Sequence, residues 1–243
     1  MLASIAAALI CAGGNALNDF FDIESDRISH PGRPLIGGTV PSYLAIMVWI
    51  VANLAAVVIS IFLHPIQLII AVSAIIILVW YNVWLKRTVI WGNLAVAILG
   101  GAVFIFGGLC NPQLSLKFPG ALIPSLFAFL FHLGRELIKD IADYEGDKSQ
   151  HIRTLPAVIS PLGSLILASF ISTALIVLTV YPIWQKWYNP AYGLIVVFLA
   201  DIPLIGFLAF SWFAQRLDRF ALTATAMKVM MVLGMAAFLF GRK

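Results

Sequence analysis

The chain has 243 residues, of which 62% are hydrophobic and only 11% are charged, and its mean hydropathy is +1.01. Soluble domains carry about 25% charged residues, so this composition excludes an ordinary soluble domain and is typical of an integral membrane protein. The net charge of +4 is explained by basic loops that orient a membrane protein, and nucleic acid is not expected as a partner.

Eight apolar runs follow one another, and most approach the roughly 20 residues that a helix needs to cross a bilayer. They lie at residues 2–17, 41–63, 65–83, 90–110, 119–138, 157–181, 191–213 and 221–240. The short sequence LHP at 63–65 predicts a tight helical hairpin. Internal prolines such as Pro124 and Pro203 are expected to kink their helices without ending them. We expect an all-α polytopic bundle of about eight transmembrane helices, forming one membrane domain over residues 1–243.

Basic residues concentrate in alternate loops, at about 18–40, 84–90, 139–156 and 214–220. The positive-inside rule places these loops in the cytoplasm. Residue 1 then lies on the opposite side of the membrane, at the head of a helix with no preceding anchor. A further helix upstream would restore a cytoplasmic N-terminus, and we expect that this sequence lacks one.

The 11 acidic residues are distributed unevenly, because nine of them fall within two short segments at predicted cytoplasmic helix ends. A carboxylate at mid-bilayer costs about 2.5–3.5 kcal/mol on insertion scales, so acidic groups at a membrane helix indicate a functional site. The first acidic segment contains Asp19, Asp22, Glu24 and Asp26, and the second contains Glu136, Asp140, Asp143, Glu145 and Asp147.

Both acidic segments place three aspartates at positions i, i+3 and i+7, which lie on one face of a helix. These aspartates are Asp19, Asp22 and Asp26 in the first segment and Asp140, Asp143 and Asp147 in the second. Each segment is followed by three further apolar runs. We interpret this as an internal duplication that gives two four-helix pseudo-repeats, with the two acidic faces brought together near a pseudo-symmetry axis.

Two facing carboxylate clusters would repel each other unless cations lay between them. Hard oxygen ligands suit Mg²⁺, which keeps several waters and usually shares its coordination sphere with substrate phosphates. The sequence contains no EF-hand pattern, and histidine and cysteine are too sparse near the segments for zinc. The alternative is a pair of solvated acidic loops, but the matched spacing favours a metal site.

Several stretches resemble the UbiA superfamily of intramembrane prenyltransferases. NDFFDIESD at 18–26 resembles that family's N-x-x-x-D-x-x-x-D motif, and DYEGD at 143–147 resembles its second D-x-x-x-D motif. GRPLIGG, YNVWLKR and GNLAVAILGG are also similar to family sequence, so the resemblance spans nearly the whole chain. The stretch at 134–156, GRELIKDIADYEGDKSQHIRTLP, looks most like the branch that makes digeranylgeranylglyceryl phosphate.

The resemblance implies two Mg²⁺ ions and a set of site residues. The residues expected to hold the ions are Asn18, Asp22 and Asp26 for one, and Asp143 and Asp147 for the other. The four aspartates of that set are also the candidate catalytic residues. The residues expected to contact substrate or support its binding are Asp19, Arg27, Arg33, Tyr81, Lys86 and Asp140.

The resemblance also implies the reaction. A prenyl group, expected to be geranylgeranyl, would pass from a polyprenyl diphosphate to a lipid acceptor, expected to be geranylgeranylglyceryl phosphate, with release of diphosphate. Membrane lipids are the other expected partners, and the active site would face the cytoplasm. Asp140 and Glu136 are candidates for the base that accepts the acceptor's proton. Family members usually have nine helices, so the first family helix is expected to be missing here.

Other functions remain open at this point. The acceptor could be an aromatic compound of quinone or related biosynthesis, or the chain could be an inactive, truncated member that serves as a scaffold. Intact acidic segments argue against the scaffold. A transporter is the third alternative, but its polar groups would lie near the membrane midplane, and here the acids lie at one interface.

Several polar or small residues have simpler structural interpretations. Asp201 is expected to make a packing hydrogen bond, and Asp218 to pair with the arginines beside it. Arg135 and Glu136 could pair with each other, or Arg135 could recognise the phosphate of an acceptor. Close helix packing is expected at the glycines at 100, 101, 107 and 108.

Overall fold

The computed structural model describes residues 1–29, 32–115, 117–149, 152–214 and 216–242. Within these ranges all regular structure is helical, which confirms the predicted all-α class. The α-helices are α1 (Leu2–Phe21), α2 (Ile23–Ser29), α3 (Ser42–Ile61), α4 (Pro65–Val83), α5 (Trp91–Gly108), α6 (Pro112–Ser115), α7 (Leu122–Ser149), α8 (Leu155–Ile159), α9 (Pro161–Trp184), α10 (Pro190–Val196), α11 (Ile202–Ala214) and α12 (Leu217–Gly241). A 3₁₀ turn covers Leu85–Arg87, and a π-helical segment covers Val197–Asp201.

Seven helical spans in the described ranges are long and apolar enough to cross a membrane. They are α1, α3, α4, α5, α9, α12 and the stretch Pro190–Phe213. The remaining predicted span corresponds to α7, a helix of 28 residues that carries three charged side chains between positions 122 and 139. Large apolar side chains cover the outer surface, and Phe213 and Trp184 are 92% and 83% exposed. Such surfaces are those of lipid-facing helices.

Three membrane-length spans begin at a proline whose preceding side chain caps the helix. Proline suits the first helical turn, because its missing N–H would have no partner within the helix there. The capping side chains of His64, Ser160 and Asn189 accept hydrogen bonds from backbone N–H groups two or three residues later, at 3.2, 3.1 and 2.8 Å. Because α3 ends at Ile61 and α4 begins at Pro65, the predicted tight hairpin is confirmed.

The helices form two compact units, which are described separately. Unit 1 contains Met1–Lys86 and Ala102–Lys117, and unit 2 contains Arg87–Gly101 and Phe118–Lys243. In unit 1, α1 packs against α3 and α4. A Cβ atom on Gly14 of α1 would lie 2.9 Å from Cδ1 of Leu78 on α4, so the Leu78 side chain packs directly against this glycine. The packing of α1 fixes the position of its C-terminal end, where the first acidic segment begins.

In unit 2, α7 contacts α8, α9 and α12. Leu137, Ile138 and Ile141 are fully buried in its core. These three apolar residues occupy one face of α7, and Glu136 and the three aspartates of the second segment lie on another face, because the helical repeat separates the two sets. The helix continues to Ser149, so most of the predicted loop at 139–156 is helical. The second acidic segment is therefore held on a rigid helix.

Pro203 follows the π-helical segment Val197–Asp201 without ending the helix, because α11 continues to Ala214. Proline lacks the N–H that would bond four residues back, and a local π adjustment in a membrane helix can satisfy the backbone group that is left free. The prediction that Pro203 leaves its helix continuous is confirmed.

Two acidic residues outside the acidic segments have structural partners, as expected. Thr179 Oγ1 donates to Asp201 Oδ2 at 2.9 Å, so Asp201 makes a packing hydrogen bond between helices. Asp218 lies 3.1 Å from Nε of Arg216 and 3.7 Å from Nε of Arg219. Neither aspartate extends the candidate site.

Glycine packing is close at two of the expected positions. A Cβ atom on Gly100 would lie 2.1 Å from Cδ2 and 2.8 Å from Cγ of His132, and one on Gly101 would lie 2.9 Å from the carbonyl oxygen of Ser125. A Cβ atom on Gly107 would have no neighbour within 4 Å among the described residues, so the packing prediction is wrong there.

We predict that Gly100→Ala destabilises the protein by about 1–3 kcal/mol, because the whole His132 ring must move to admit a methyl group. Thermal unfolding in detergent, followed by circular dichroism, measures the change. Gly107→Ala is the matched control on the same helix and should not lower the unfolding temperature. Equal unfolding temperatures for the two variants would contradict the close packing at Gly100.

Candidate active site

The first acidic segment lies where α1 ends and α2 begins. Asp22 interrupts the helix between Phe21 and Ile23 with φ −95° and ψ 5°. Its backbone N–H still bonds to the carbonyl of Asn18 at 2.9 Å, and the N–H of Asp26 bonds to the carbonyl of Asp22 at 2.8 Å. The side chains of Asn18, Asp22 and Asp26 therefore follow one another at intervals of about one turn along a nearly continuous helix, as their four-residue spacing predicts.

Lys86 and Arg33 reach the aspartates of this segment. Lys86, in the 3₁₀ turn after α4, forms an ion pair with Asp22, and Arg33 forms one with Asp26. Nη1 of Arg33 also lies 3.3 Å from Oδ1 of Asp19. Asp26 is only 6% exposed, so its ion pair with Arg33 is sheltered from solvent.

Asn18 completes the oxygen-rich face. Its Nδ2 donates to Oδ2 of Asp22 at 2.7 Å, which leaves the amide oxygen as the atom able to face a cation. The other predicted substrate residues of unit 1 differ in their surroundings. Arg27 is 62% exposed and pairs with Glu24 at 3.4 Å, and Tyr81 is half-buried near the end of α4. The structure thus gives Arg27 a partner outside the predicted metal ligands.

A cavity of about 640 Å³ adjoins the first acidic segment within unit 1. Its charged lining consists of Asp19, Asp26 and Arg33. Its apolar lining consists of Ala16, Pro34, Leu35, Ile36, Val40, Leu44, Ala45 and Val48. This lining suits a ligand that has a charged head and an apolar body. The sequence motif indicated the charged part, but the apolar wall became evident only in the structure.

The second acidic segment lies on the last turns of α7. Asp140 accepts a hydrogen bond from Nδ2 of Asn93 at 2.7 Å. Asp143 is 51% exposed and lies 2.9 Å from Nζ of Lys139, one turn earlier. Asp147 is half-buried near the end of the helix. The carboxylates at 140 and 147 are thus the more sheltered members of the segment.

Two of these carboxyl groups titrate unusually, and both lie beyond the apolar run that ends at residue 138. Burial raises the pKa of Asp140 to about 7, although the hydrogen bond from Asn93 opposes this change. Burial also raises the pKa of Asp147 above its usual range. A cation near either group would favour the charged form and lower its pKa.

Two further residues belong to the surroundings of the second segment. Glu136 is 8% exposed and forms an ion pair with Arg135, as the sequence suggested. Asn93, in the first turn of α5, was not singled out from the sequence. Its signals were its place in the family-like stretch GNLAVAILGG and its position as a polar residue at the start of an apolar run. Neither signal showed that it would contact Asp140.

The donor atoms fit magnesium only with help from substrate or water. Within the described ranges, no three His, Cys, Asp or Glu side chains are grouped closely enough to hold a metal ion. The first acidic segment offers the amide oxygen of Asn18 with Asp22 and Asp26, and the second offers Asp143 and Asp147. Mg²⁺ usually binds through one or two carboxylates, with waters and substrate phosphates completing its sphere. These oxygen donors therefore suit Mg²⁺ whose coordination is completed by water and substrate, and they do not suit a metal ion coordinated by protein side chains alone.

Comparison with known proteins gives the same assignment along the chain. The model of the UbiA prenyltransferase family matches residues 1–232. The digeranylgeranylglyceryl phosphate synthase of Methanopyrus kandleri is 34% identical over 245 residues, which cover 98% of this chain and 86% of that protein. This match extends through both acidic segments.

Solved structures share the fold. A structure of a digeranylgeranylglyceryl phosphate synthase matches with a TM-score of 0.76 at 30% identity, covering 99% of this chain and 84% of that one. A UbiA homologue from Archaeoglobus fulgidus, bound to DMAPP and Mg²⁺, matches with a TM-score of 0.66 at 17% identity, covering 98% and 86%. Because the second match has only 17% identity, it shows a shared fold and nothing more. Because the family match covers nearly the whole chain, the chain belongs to the UbiA prenyltransferase family and is an integral membrane prenyltransferase.

Proposed function

We propose that the chain transfers a geranylgeranyl group from geranylgeranyl diphosphate to geranylgeranylglyceryl phosphate, with Mg²⁺ as cofactor and diphosphate as the leaving group. The observation that carries this proposal is the cavity of unit 1, which joins three charged side chains to an apolar wall. A prenyl diphosphate combines the same two properties. The name of the Methanopyrus kandleri relative supports the choice of acceptor.

The proposed metal ligands are the same oxygen donors that the sequence motifs indicate. Asn18, Asp22 and Asp26 would hold one ion, and Asp143 and Asp147 would hold a second. Bound there, Mg²⁺ would neutralise the negative charge that develops on the departing diphosphate. The Archaeoglobus fulgidus homologue, which binds DMAPP with Mg²⁺, supports this proposal.

Lys86 and Arg33 are the proposed protein partners of the diphosphate. Both are within contact of the first acidic segment, through their ion pairs with Asp22 and Asp26. Charge-assisted hydrogen bonds from such cations to phosphate oxygens are about twice as strong as neutral ones. Arg27, which is exposed and pairs with Glu24, would affect the diphosphate only through its distant charge.

The proposed reaction breaks the bond between C1 of the prenyl group and the diphosphate oxygen, and the bonding electrons leave with the diphosphate. The hydroxyl oxygen of the acceptor then bonds to C1, and its proton passes to a base. Asp140 is a better candidate for this base than Glu136, because Glu136 is held in its ion pair with Arg135. Apolar side chains would exclude water, which would otherwise capture the prenyl cation.

We also propose that residues 1–243 form one catalytic domain. The matched i, i+3, i+7 spacing and the family match over residues 1–232 support this view. The basic loops favour a site that faces the cytoplasm.

The experiment that tests the function is prenyl transfer in nanodiscs, with radiolabelled geranylgeranyl diphosphate and a panel of acceptors. We expect product with geranylgeranylglyceryl phosphate and little or none with aromatic quinone precursors. Product with an aromatic acceptor alone would overturn the proposed acceptor. Failure with every acceptor, in protein shown to be folded, would favour an inactive family member.

Removal of the metal or of its ligands should abolish transfer. EDTA should stop the reaction, added Mg²⁺ should restore it, and Asp22→Ala and Asp143→Ala should each lower kcat/KM by about a hundredfold or more, because charge on the leaving group is no longer balanced. Asp218→Ala is the control, since Asp218 pairs only with the surface arginines beside it in the described contacts. Full activity in EDTA would contradict the metal proposal.

The two arginines that follow the first acidic segment should differ in importance. Arg33→Gln should raise the KM for the prenyl diphosphate by about tenfold to a hundredfold, as expected for the loss of a hydrogen bond to a charged group. Arg27→Gln should change this KM by less than about fivefold, because exposed ion pairs contribute little. Initial rates at varied donor concentration measure both values, and equal effects would show that proximity to Asp26 is irrelevant.

A further inference from the structure

A line of polar side chains runs along α7 from the second acidic segment into the apolar part of the helix. His132, Glu136 and Asp140 lie at i, i+4 and i+8, which places them on one face. Glu136 precedes Asp143 by seven positions, a distance of about 10 Å along the helix axis. This polar face extends beyond the aspartate motif, because His132 and Glu136 lie outside that motif.

Arg135 lies beside this polar face, and its hydrogen-bonding capacity is incompletely used in the described contacts. Its side chain is 14% exposed, and its Nη1 pairs with Glu136. Its Nε is buried and has no hydrogen-bond partner among the described residues. A guanidinium group carries five N–H donors and no acceptor, and a buried donor without a partner is costly. The surroundings of Arg135 are therefore suited to a further acceptor of hydrogen bonds.

His132, one turn before Glu136, carries another buried polar atom that lacks a hydrogen-bond partner among the described residues. Its ring is held against Gly100 of α5, where even a Cβ atom would not fit. Its Nδ1 is buried and has no hydrogen-bond partner among the described residues. On the same two helices, Asn93 donates to Asp140. Within unit 2, α5 and α7 thus hold polar groups in fixed positions beside the acidic segment.

We propose that Arg135 binds the phosphate group of the lipid acceptor, and that Glu136 holds the guanidinium in position. This inference rests on the proposed function and assigns a subsite for the acceptor. A phosphate monoester supplies the oxygen acceptors that a guanidinium binds in a bidentate manner. In a glycerol phosphate, only a few bonds separate this group from the reacting hydroxyl. Arg135 lies two turns before Asp143, so it can hold the head of an acceptor whose hydroxyl reaches the metal-binding end of α7.

The other cations fit this role less well. Lys86 and Arg33 pair with the first acidic segment and are the proposed partners of the diphosphate. Lys139 is 47% exposed and pairs with Asp143 itself. Arg135 differs from these cations because its buried Nε has no hydrogen-bond partner among the described residues. Arg219 shares this property, but its side chain is 39% exposed and lies on α12, away from the acidic segments in sequence.

The competing explanation is that the Arg135–Glu136 pair only stabilises α7. Two variants separate these roles. Arg135→Lys keeps the positive charge but loses Nε and the planar fork, and the double variant Arg135→Gln, Glu136→Gln leaves no buried charge without a partner. Arg219→Gln is the matched control. Arg219 also lies next to an acidic residue, Asp218, and its Nε also has no hydrogen-bond partner among the described residues. Its guanidinium, however, lies over the ring of Phe210 at 4.7 Å.

The test is equilibrium binding to the full chain in nanodiscs, without donor or Mg²⁺, so that it does not depend on turnover. The probes are geranylgeranylglyceryl phosphate, the corresponding alcohol without phosphate, inorganic phosphate and inorganic diphosphate. We expect the wild-type chain to prefer the phosphorylated lipid. Arg135→Lys and the double variant should weaken its binding by about tenfold to a hundredfold and leave binding of the alcohol unchanged. Arg219→Gln should bind both lipids as the wild type does.

Several results would overturn the subsite. One is that the Arg135 variants bind the phosphorylated lipid and the alcohol more weakly by the same factor. Another is that both Arg135 variants bind the phosphorylated lipid as tightly as the wild type does. A third is that the wild-type chain binds the two lipids equally well. Weaker binding of diphosphate alone would move Arg135 to the donor site and would also overturn it. Tight binding of free phosphate, without a preference between the lipids, would indicate an anion site unrelated to the acceptor. Failure of the proposed function is a different result, because the phosphorylated lipid would then bind but accept no prenyl group.

Discussion

A carboxylate that leaves water at the edge of a membrane must have a cation or a hydrogen-bond donor beside it, and this requirement governs the polar part of the structure. Asp26 is buried and pairs with Arg33, and Asp140 accepts a hydrogen bond from Asn93. A buried charge without such a partner is strongly destabilising. The positions of Arg33, after α2, and of Asn93, at the start of α5, are therefore constrained by the carboxylates that they contact.

The apolar part of the structure makes these partnerships possible. Gly14 lets α1 approach α4 in unit 1, and Gly100 admits the ring of His132 in unit 2. Small residues allow close helix packing in membranes, where apolar burial between helices provides little driving force. The helices that carry the acids are thus held by shape complementarity, and the polar side chains on them have fixed positions. Fixed positions matter for a site that must balance charge during a reaction.

The proposed reaction requires a highly charged leaving group and a long apolar chain to bind in one site. The cavity of unit 1 offers both environments, with Arg33 on its charged side and residues of α3, such as Ala45, on its apolar side. In unit 2 the same combination occurs along one helix, where α7 buries Leu137 and Ile141 on one face and carries Asp140 on another. Each unit therefore brings charge to the boundary of an apolar interior.

The sequence by itself determined the class of the protein, the approximate spans and the two aspartate motifs, because hydropathy, helical spacing and motif residues are local properties. It also indicated Asp201 and Asp218 as structural residues. Only the tertiary structure decided which cation or hydrogen-bond donor contacts which carboxylate. Lys86 pairs with Asp22 across 64 positions, and Asn93 donates to Asp140 across 47. Local spacing carries no information about such contacts, since they depend on how helices pack. For the same reason the sequence grouped Arg27 with Arg33, whereas packing of the loop brings only Arg33 to the charged lining of the cavity.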